Sequence, residues 1–167
     1  MTVNVFMPAG ETIGGKLQSQ PGSIHRILVV EEAEDIRQLN AEVLVDAGYH
    51  VDAAEDGLAA WAALQLHRYD LLLTDQFLPK VSGVQLLKKL HTARMTLPVI
   101  MATDILPTWE FALHPFLQAV TMLRRPYTIE KLVGLVKSVL LTTGGIQTEM
   151  ASPSNRQSHT ASVGLRL

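Results

Sequence analysis

A chain of 167 residues with 47% hydrophobic composition has the size of one ordinary domain and enough apolar material for a core between two helical layers. It contains no cysteine, which excludes a disulfide framework, a thiolate metal site and thiol chemistry. A formal net charge of −2 with scattered bases argues against nucleic acid and anionic lipid as partners.

No apolar run approaches the roughly 20 residues that cross a bilayer, and the N-terminus lacks the basic-then-apolar order of a secretory signal. The expectation is therefore a cytoplasmic protein with no membrane partner. Residues 1–24 mix Pro8, Gly10, Gly14, Gly15, Pro21 and Gly22 with polar residues and read as a flexible leader. Residues 142–167 open on Thr142, Thr143, Gly144 and Gly145 and turn rich in Ser, Pro, Asn and Gln, which reads as a flexible tail without an output domain. The folded unit is expected at 25–141.

Within it, strand-like and helix-like segments alternate. Ile27 to Val30 is wholly aliphatic and predicts a strand buried on both faces, β1. Ile36, Leu39, Val43, Leu44 and Ala47 recur at helical spacing up to the stop at Gly48 and predict α1, with β2 over Tyr49 to Ala54. Gly57 to His67 predicts α2 and Leu71 to Thr74 a third buried strand, β3. After a loop with Pro79 and Gly83, Leu86, Leu87 and Leu90 mark α3, and Pro98 to Ala102 marks β4. Helix α4 is expected to begin near Pro107 and end before Pro115, ahead of β5 at Ala119 to Leu123. Thr128 can cap α5, whose stripe is Ile129, Leu132, Val133, Val136 and Leu140. Strict alternation predicts an α/β fold: a doubly wound, five-stranded parallel sheet in the order 2-1-3-4-5 with right-handed crossovers.

In such sheets ligands bind beyond the carboxyl ends of the strands. There stand Glu31 and Glu32 after β1, Asp75 after β3, Thr103 and Asp104 after β4, and Arg124 and Arg125 after β5. Converging carboxylates repel unless a cation joins them, and an all-oxygen set suits a hard ion such as Mg²⁺. A carboxylate beside a cation, a hydroxyl and a basic side chain is also the equipment for phosphoryl transfer to oxygen, with Asp75 as nucleophile. Any one strand-end acid by itself reads as a solvated loop residue. The conjunction at four strand ends carries the functional reading.

Four stretches carry a family resemblance in order and spacing. They are Ile27 to Arg37 with its acidic pair, Asp70 to Gly83 with Asp75, Pro79 and Gly83 at fixed intervals, Pro98 to Thr103, and Arg125 with Pro126. Over about residues 25 to 141 the chain resembles the receiver domain of bacterial response regulators. The resemblance implies the flavodoxin-like receiver fold, a phosphoryl group accepted on Asp75 from a histidine kinase or histidine phosphotransfer protein, and output through the α4, β5 and α5 face. It implies Mg²⁺ held by Glu31, Glu32, Asp75 and the carbonyl of Phe77. Thr103 then matches the switch hydroxyl and Arg125 the basic residue, with a cis bond to Pro126. No enzyme activity is implied beyond gain and loss of its own phosphate.

The departures from the family pattern are chemical. Glu at both acidic positions moves each carboxylate out by one methylene, and Mg²⁺ tolerates little geometric error. Arg125 replaces a Lys with a planar fork able to clamp Asp75. Asp104 stands where a small residue is usual, and Met122 where the switch aromatic is usual. Trp109, Phe111 and Phe116, bounded by Pro115, suggest a partner or self-association surface, including a homodimer, or simple filling of space beside a short helix. Two readings follow: a phosphorylatable receiver signalling to a downstream protein, or a degenerate receiver acting as a phosphorylation-independent interaction module. A nucleotide- or flavin-binding enzyme on the same topology would need a phosphate-cradling loop where Glu31 to Asp35 stand.

Overall fold

Strand β1 (Arg26–Val30) buries Ile27, Leu28 and Val29 completely, the outcome expected of an aliphatic run with helices on both faces. In the computed structural model, which describes residues 24–105 and 108–149, β1 lies between β2 (His50–Ala54) and β3 (Leu71–Asp75). Next come β4 (Val99–Thr103) and β5 (Thr121–Arg124). Every pairing is parallel and the order is 2-1-3-4-5, as the sequence predicts.

The pleat sends alternate residues of each strand into two separate cores. Leu28, Val30, Leu72 and Met101 meet Ala60 and Leu64 of α2 (Gly57–Leu66) and Leu87 and Leu90 of α3 (Gly83–Thr92). On the other face Ile27, Val29, Leu71, Leu73, Ile100 and Leu123 meet Leu44 of α1 (Glu34–Asp46). Leu132, Val136 and Leu140 of α5 (Ile129–Glu149) complete that layer. Side chains close the starts of α2, α3 and α5: Asp56 accepts from the Ala59 amide at 2.7 Å, and Thr128 from the Lys131 amide at 3.3 Å. Ser82 and Gln85 form a reciprocal capping box.

The structure departs from the sequence reading in three places. Helix α4 (Thr108–Leu113) gives way to a 3-10 helix at Pro115–Ala119, so β5 starts at Thr121 rather than Ala119. Pro115 lacks the N–H that would extend α4, yet its fixed φ suits the opening of a new turn. Helix α5 runs past Leu141 to Glu149, where a flexible tail was expected. There the Thr142 and Thr143 hydroxyls donate to the carbonyls of Ser138 and Val139, each at 2.9 Å, so these polar residues are satisfied within the helix. The rest of that tail, and the leader apart from Ile24, lie outside the described residues.

The third departure concerns the three aromatics, which part company. Trp109 is 66% exposed beside a similarly exposed Leu113, whereas Phe111 and Phe116 pack against the core. Phe116 also stacks on His91 with ring centroids 4.1 Å apart.

Close backbone approach fixes the start of α2. A Cβ on Gly57 would sit 1.8 Å from the Val81 carbonyl oxygen, whereas one on Gly134, within α5, would meet nothing within 4 Å. Gly57→Ala is therefore expected to cost about 2 to 3 kcal/mol through backbone displacement. Gly134→Ala is expected to gain up to about 1 kcal/mol from helix propensity. Urea midpoints for the two variants should move in opposite directions; movement in the same direction would contradict the packing described.

Candidate functional site

The ladder between β1 and β2 continues through the Glu31 amide, which donates to the Ala54 carbonyl at 3.1 Å and leaves the Glu31 side chain pointing into a buried position, 5% exposed. Its Oε1 accepts from the Ala33 amide at 3.1 Å, and its Oε2 accepts a short hydrogen bond from Arg125 Nη2. Asp75 closes β3. Its Oδ1 accepts from the amides of Gln76 at 2.5 Å and Phe77 at 3.4 Å, and its Oδ2 lies 3.6 Å from the same Arg125 Nη2. Arg125 follows β5, where its amide donates to the Thr103 carbonyl at 3.0 Å and its bond to Pro126 is cis, as the resemblance implies.

Glu31, Asp75 and Arg125 thus come together. The expected clamp of Arg125 on Asp75 needs correction, because the guanidinium bonds to Glu31 and only faces Asp75. The reason is steric and competitive: glutamate reaches further than aspartate, and one Asp75 oxygen is already taken by two amides. Thr103, 1% exposed, is close by but turned aside, its Oγ1 lying 2.6 Å from Gln76 Oε1 and 2.7 Å from the Ile105 carbonyl. Its single proton satisfies one of these acceptors at a time. Glu32 is exposed at the rim, where Arg37 Nη1 donates to the carbonyls of Glu31 at 2.7 Å and Glu32 at 3.0 Å. Phe77 and Asp104 are exposed, and Met122 is partly buried against the core.

Burial raises the Asp75 carboxyl above the usual carboxylate range; the Arg125 charge opposes the rise and the Glu31 charge adds to it. Burial pulls Arg125 down, but its hydrogen bond to Glu31 and the charges of Asp75 and Glu31 more than offset this, so it stays protonated. As a seat for Mg²⁺ the donor set does not fit. Three of the four oxygens on the buried carboxylates accept protein N–H groups, and the fourth faces a guanidinium. Among the described residues no three acids or histidines are grouped to hold a metal.

Several participants carry no motif of their own. Gln76 is found only through its reach to Thr103 on the neighbouring strand. Lys80, in the left-handed region at φ 64°, donates to buried Asp56 at 2.5 Å and holds that carboxyl below its usual range, tying the β2–α2 turn to the loop after β3. Asp56 had a readable signal, a capping residue directly before the apolar run of α2. Gly83 permits the return from that loop, since a Cβ there would sit 2.1 Å from the Asp75 carbonyl oxygen.

Comparison with known proteins places the chain in a family. Residues 27–137 match the family model described as response regulator receiver domain, and the chain belongs to that family. It is 29% identical over 119 residues to the response regulator receiver protein CpdR of Brucella abortus, covering 70% of this chain and 97% of CpdR. It is 32% identical over 112 residues to the transcriptional regulatory protein DltR of Streptococcus agalactiae, covering 67% of this chain and 50% of DltR. The chain thus spans about half the length of such curated relatives. The chemotaxis response regulator CheY4 of Vibrio cholerae superposes with a TM-score of 0.63 at 27% identity, covering 70% of this chain and 99% of CheY4. Receiver domains are the signalling modules of two-component systems, and among the described residues no helix is long and apolar enough to cross a membrane.

The raised Asp75 carboxyl has a thermodynamic consequence. A group whose folded pKa lies above its unfolded value of about 3.9 opposes folding when ionised and costs nothing once both states are protonated. Asp75→Asn should therefore be more stable than the parent at pH 7, with the difference closing as pH falls below the ordinary aspartate range. Denaturant titrations across pH check this; a variant less stable at neutral pH would show that Arg125 outweighs desolvation.

Proposed function

We propose that this receiver accepts a phosphoryl group on Asp75 from a histidine kinase or histidine phosphotransfer protein, and passes the change on through its α4, β5 and α5 face. The observation that carries this reading is the state of the Asp75 carboxylate. It is largely buried, fixed through Oδ1 by two amides, and left with Oδ2 free of hydrogen bonds beside a guanidinium. The raised basicity of the carboxylate favours attack by that oxygen.

In the step envisaged, Asp75 Oδ2 forms a bond to phosphorus as the bond from phosphorus to the donor histidine nitrogen breaks. The nitrogen keeps the electron pair as the imidazole leaves, and an aspartyl phosphate remains. Arg125 is placed to receive the phosphoryl oxyanion, since charge neutralisation and positioning dominate such transfers. The Thr103 hydroxyl can serve the same oxyanion once it lets go of Gln76 and Ile105. Ile105 leads into α4, so that exchange would be felt on the face where Trp109 and Leu113 stand exposed. Exposed apolar side chains there suit a protein partner or a second copy.

Treatment with phosphoramidate, read by intact mass, should add one phosphoryl group to the parent and none to Asp75→Asn. Modification that persists in the Asn variant would remove Asp75 from the mechanism.

A further inference from the structure

We propose that Arg125 is the resident cation of this pocket, its guanidinium occupying the place between Glu31 and Asp75 that a divalent ion would otherwise have to fill. The inference rests on reading the pocket as a phosphoryl site, and it changes what that site requires from solution.

Two carboxylates buried in one pocket repel, and a cation must lie between them or one must take up a proton. Here the cation is supplied by the chain. Arg125 Nη2 donates to Glu31 Oε2 and lies 3.6 Å from Asp75 Oδ2, so a single group faces both acids. The guanidinium suits the task because it remains charged when buried, is more weakly hydrated than a small ion, and presents its donors in a plane. Mg²⁺ would need an octahedral set of oxygens and gives up its water reluctantly. To enter, it would have to break the pair between Glu31 and Arg125 and leave a mostly buried guanidinium without its carboxylate, a costly exchange.

While Arg125 is in place, the remaining members of the pocket offer no alternative metal seat. Glu32 points to solvent, and Glu31 Oε1 and Asp75 Oδ1 are held by amides. The fork is also not exhausted by its role with Glu31, because the buried Arg125 Nε has no acceptor among the described residues. That unused donor capacity matches an incoming phosphoryl oxyanion, which guanidinium groups bind through paired N–H contacts. Uptake of phosphate by this receiver is therefore independent of divalent cations.

The test uses the full chain, with Mg²⁺ as the probe and ¹H–¹⁵N spectra of the Glu31, Asp75, Gln76 and Phe77 amides as the readout, beside phosphoramidate uptake in Mg²⁺ or in EDTA. The parent should show no saturable shift at millimolar Mg²⁺ and should take up phosphate at the same rate in both media. Arg125→Met, which vacates the cation's place, should show saturable Mg²⁺ shifts of these amides in the millimolar range where the parent shows none. Saturation of the parent with the affinity of the variant, or a folded Arg125→Met that ignores Mg²⁺, would overturn the proposal. Uptake that requires Mg²⁺ would also overturn it while leaving Asp75 as acceptor. The expected Mg²⁺ behaviour with no uptake in either medium would uphold the resident cation and sink the acceptor reading instead. If Arg125→Met does not fold, the parent titration and the EDTA arm decide the matter alone.

Discussion

A guanidinium buried between two carboxylates is the constraint on which the rest of this pocket depends. Arg125 reaches Glu31 at the end of β1 and faces Asp75 at the end of β3, while its own amide is pinned to Thr103 at the end of β4. One residue thereby connects four neighbouring strand ends. Burying such charges is expensive, and the arrangement persists because each charge has its partner in place. The supporting loop is equally determined: Gly83 lets the chain pass against the Asp75 carbonyl, and the Lys80 to Asp56 pair holds that loop against the start of α2.

Around that fixed centre sits a set of contacts that can exchange. Thr103, Gln76 and Ile105 share one hydroxyl proton among competing acceptors, so a stronger acceptor on Asp75 could draw the proton away at small cost. Beyond Ile105 lies the least regular part of the described fold. Helix α4 is short, a 3-10 helix follows it, and Phe111 and Phe116 fill the space beneath while Trp109 faces solvent. An ionic centre of buried partners thus stands beside a short helix, and elements with fewer buried contacts are the ones that open most readily.

The layered architecture was legible because strands buried on both faces must be apolar throughout. Ile27 to Val30 and Leu71 to Thr74 leave little alternative, and their alternate side chains populate the two cores. The strand-end residues were legible as a set, since a doubly wound sheet brings those positions to one edge. Their partners were not. Which carboxylate Arg125 would choose depends on a methylene of reach and on amides of Gln76 and Phe77 that hold one oxygen of Asp75. The continuation of α5 through Thr142 and Thr143 was hidden for a similar reason. Residues that end helices when their hydroxyls compete for the backbone extend this one by bonding to carbonyls four residues back.

The centrality of the ionic contact is open to direct measurement by a double-mutant cycle on Glu31 and Arg125. Glu31→Gln, Arg125→Met and the pair would be compared by denaturant unfolding at neutral pH and moderate ionic strength. A coupling energy of about 2 kcal/mol is predicted, because Arg125→Met leaves the Glu31 carboxylate buried without its donor and Glu31→Gln leaves the guanidinium with Asp75 alone, whereas the double change removes both ends of the Glu31 contact. Single effects that simply add would mean that Arg125 and Glu31 do not depend on one another, and the account of the pocket would be wrong.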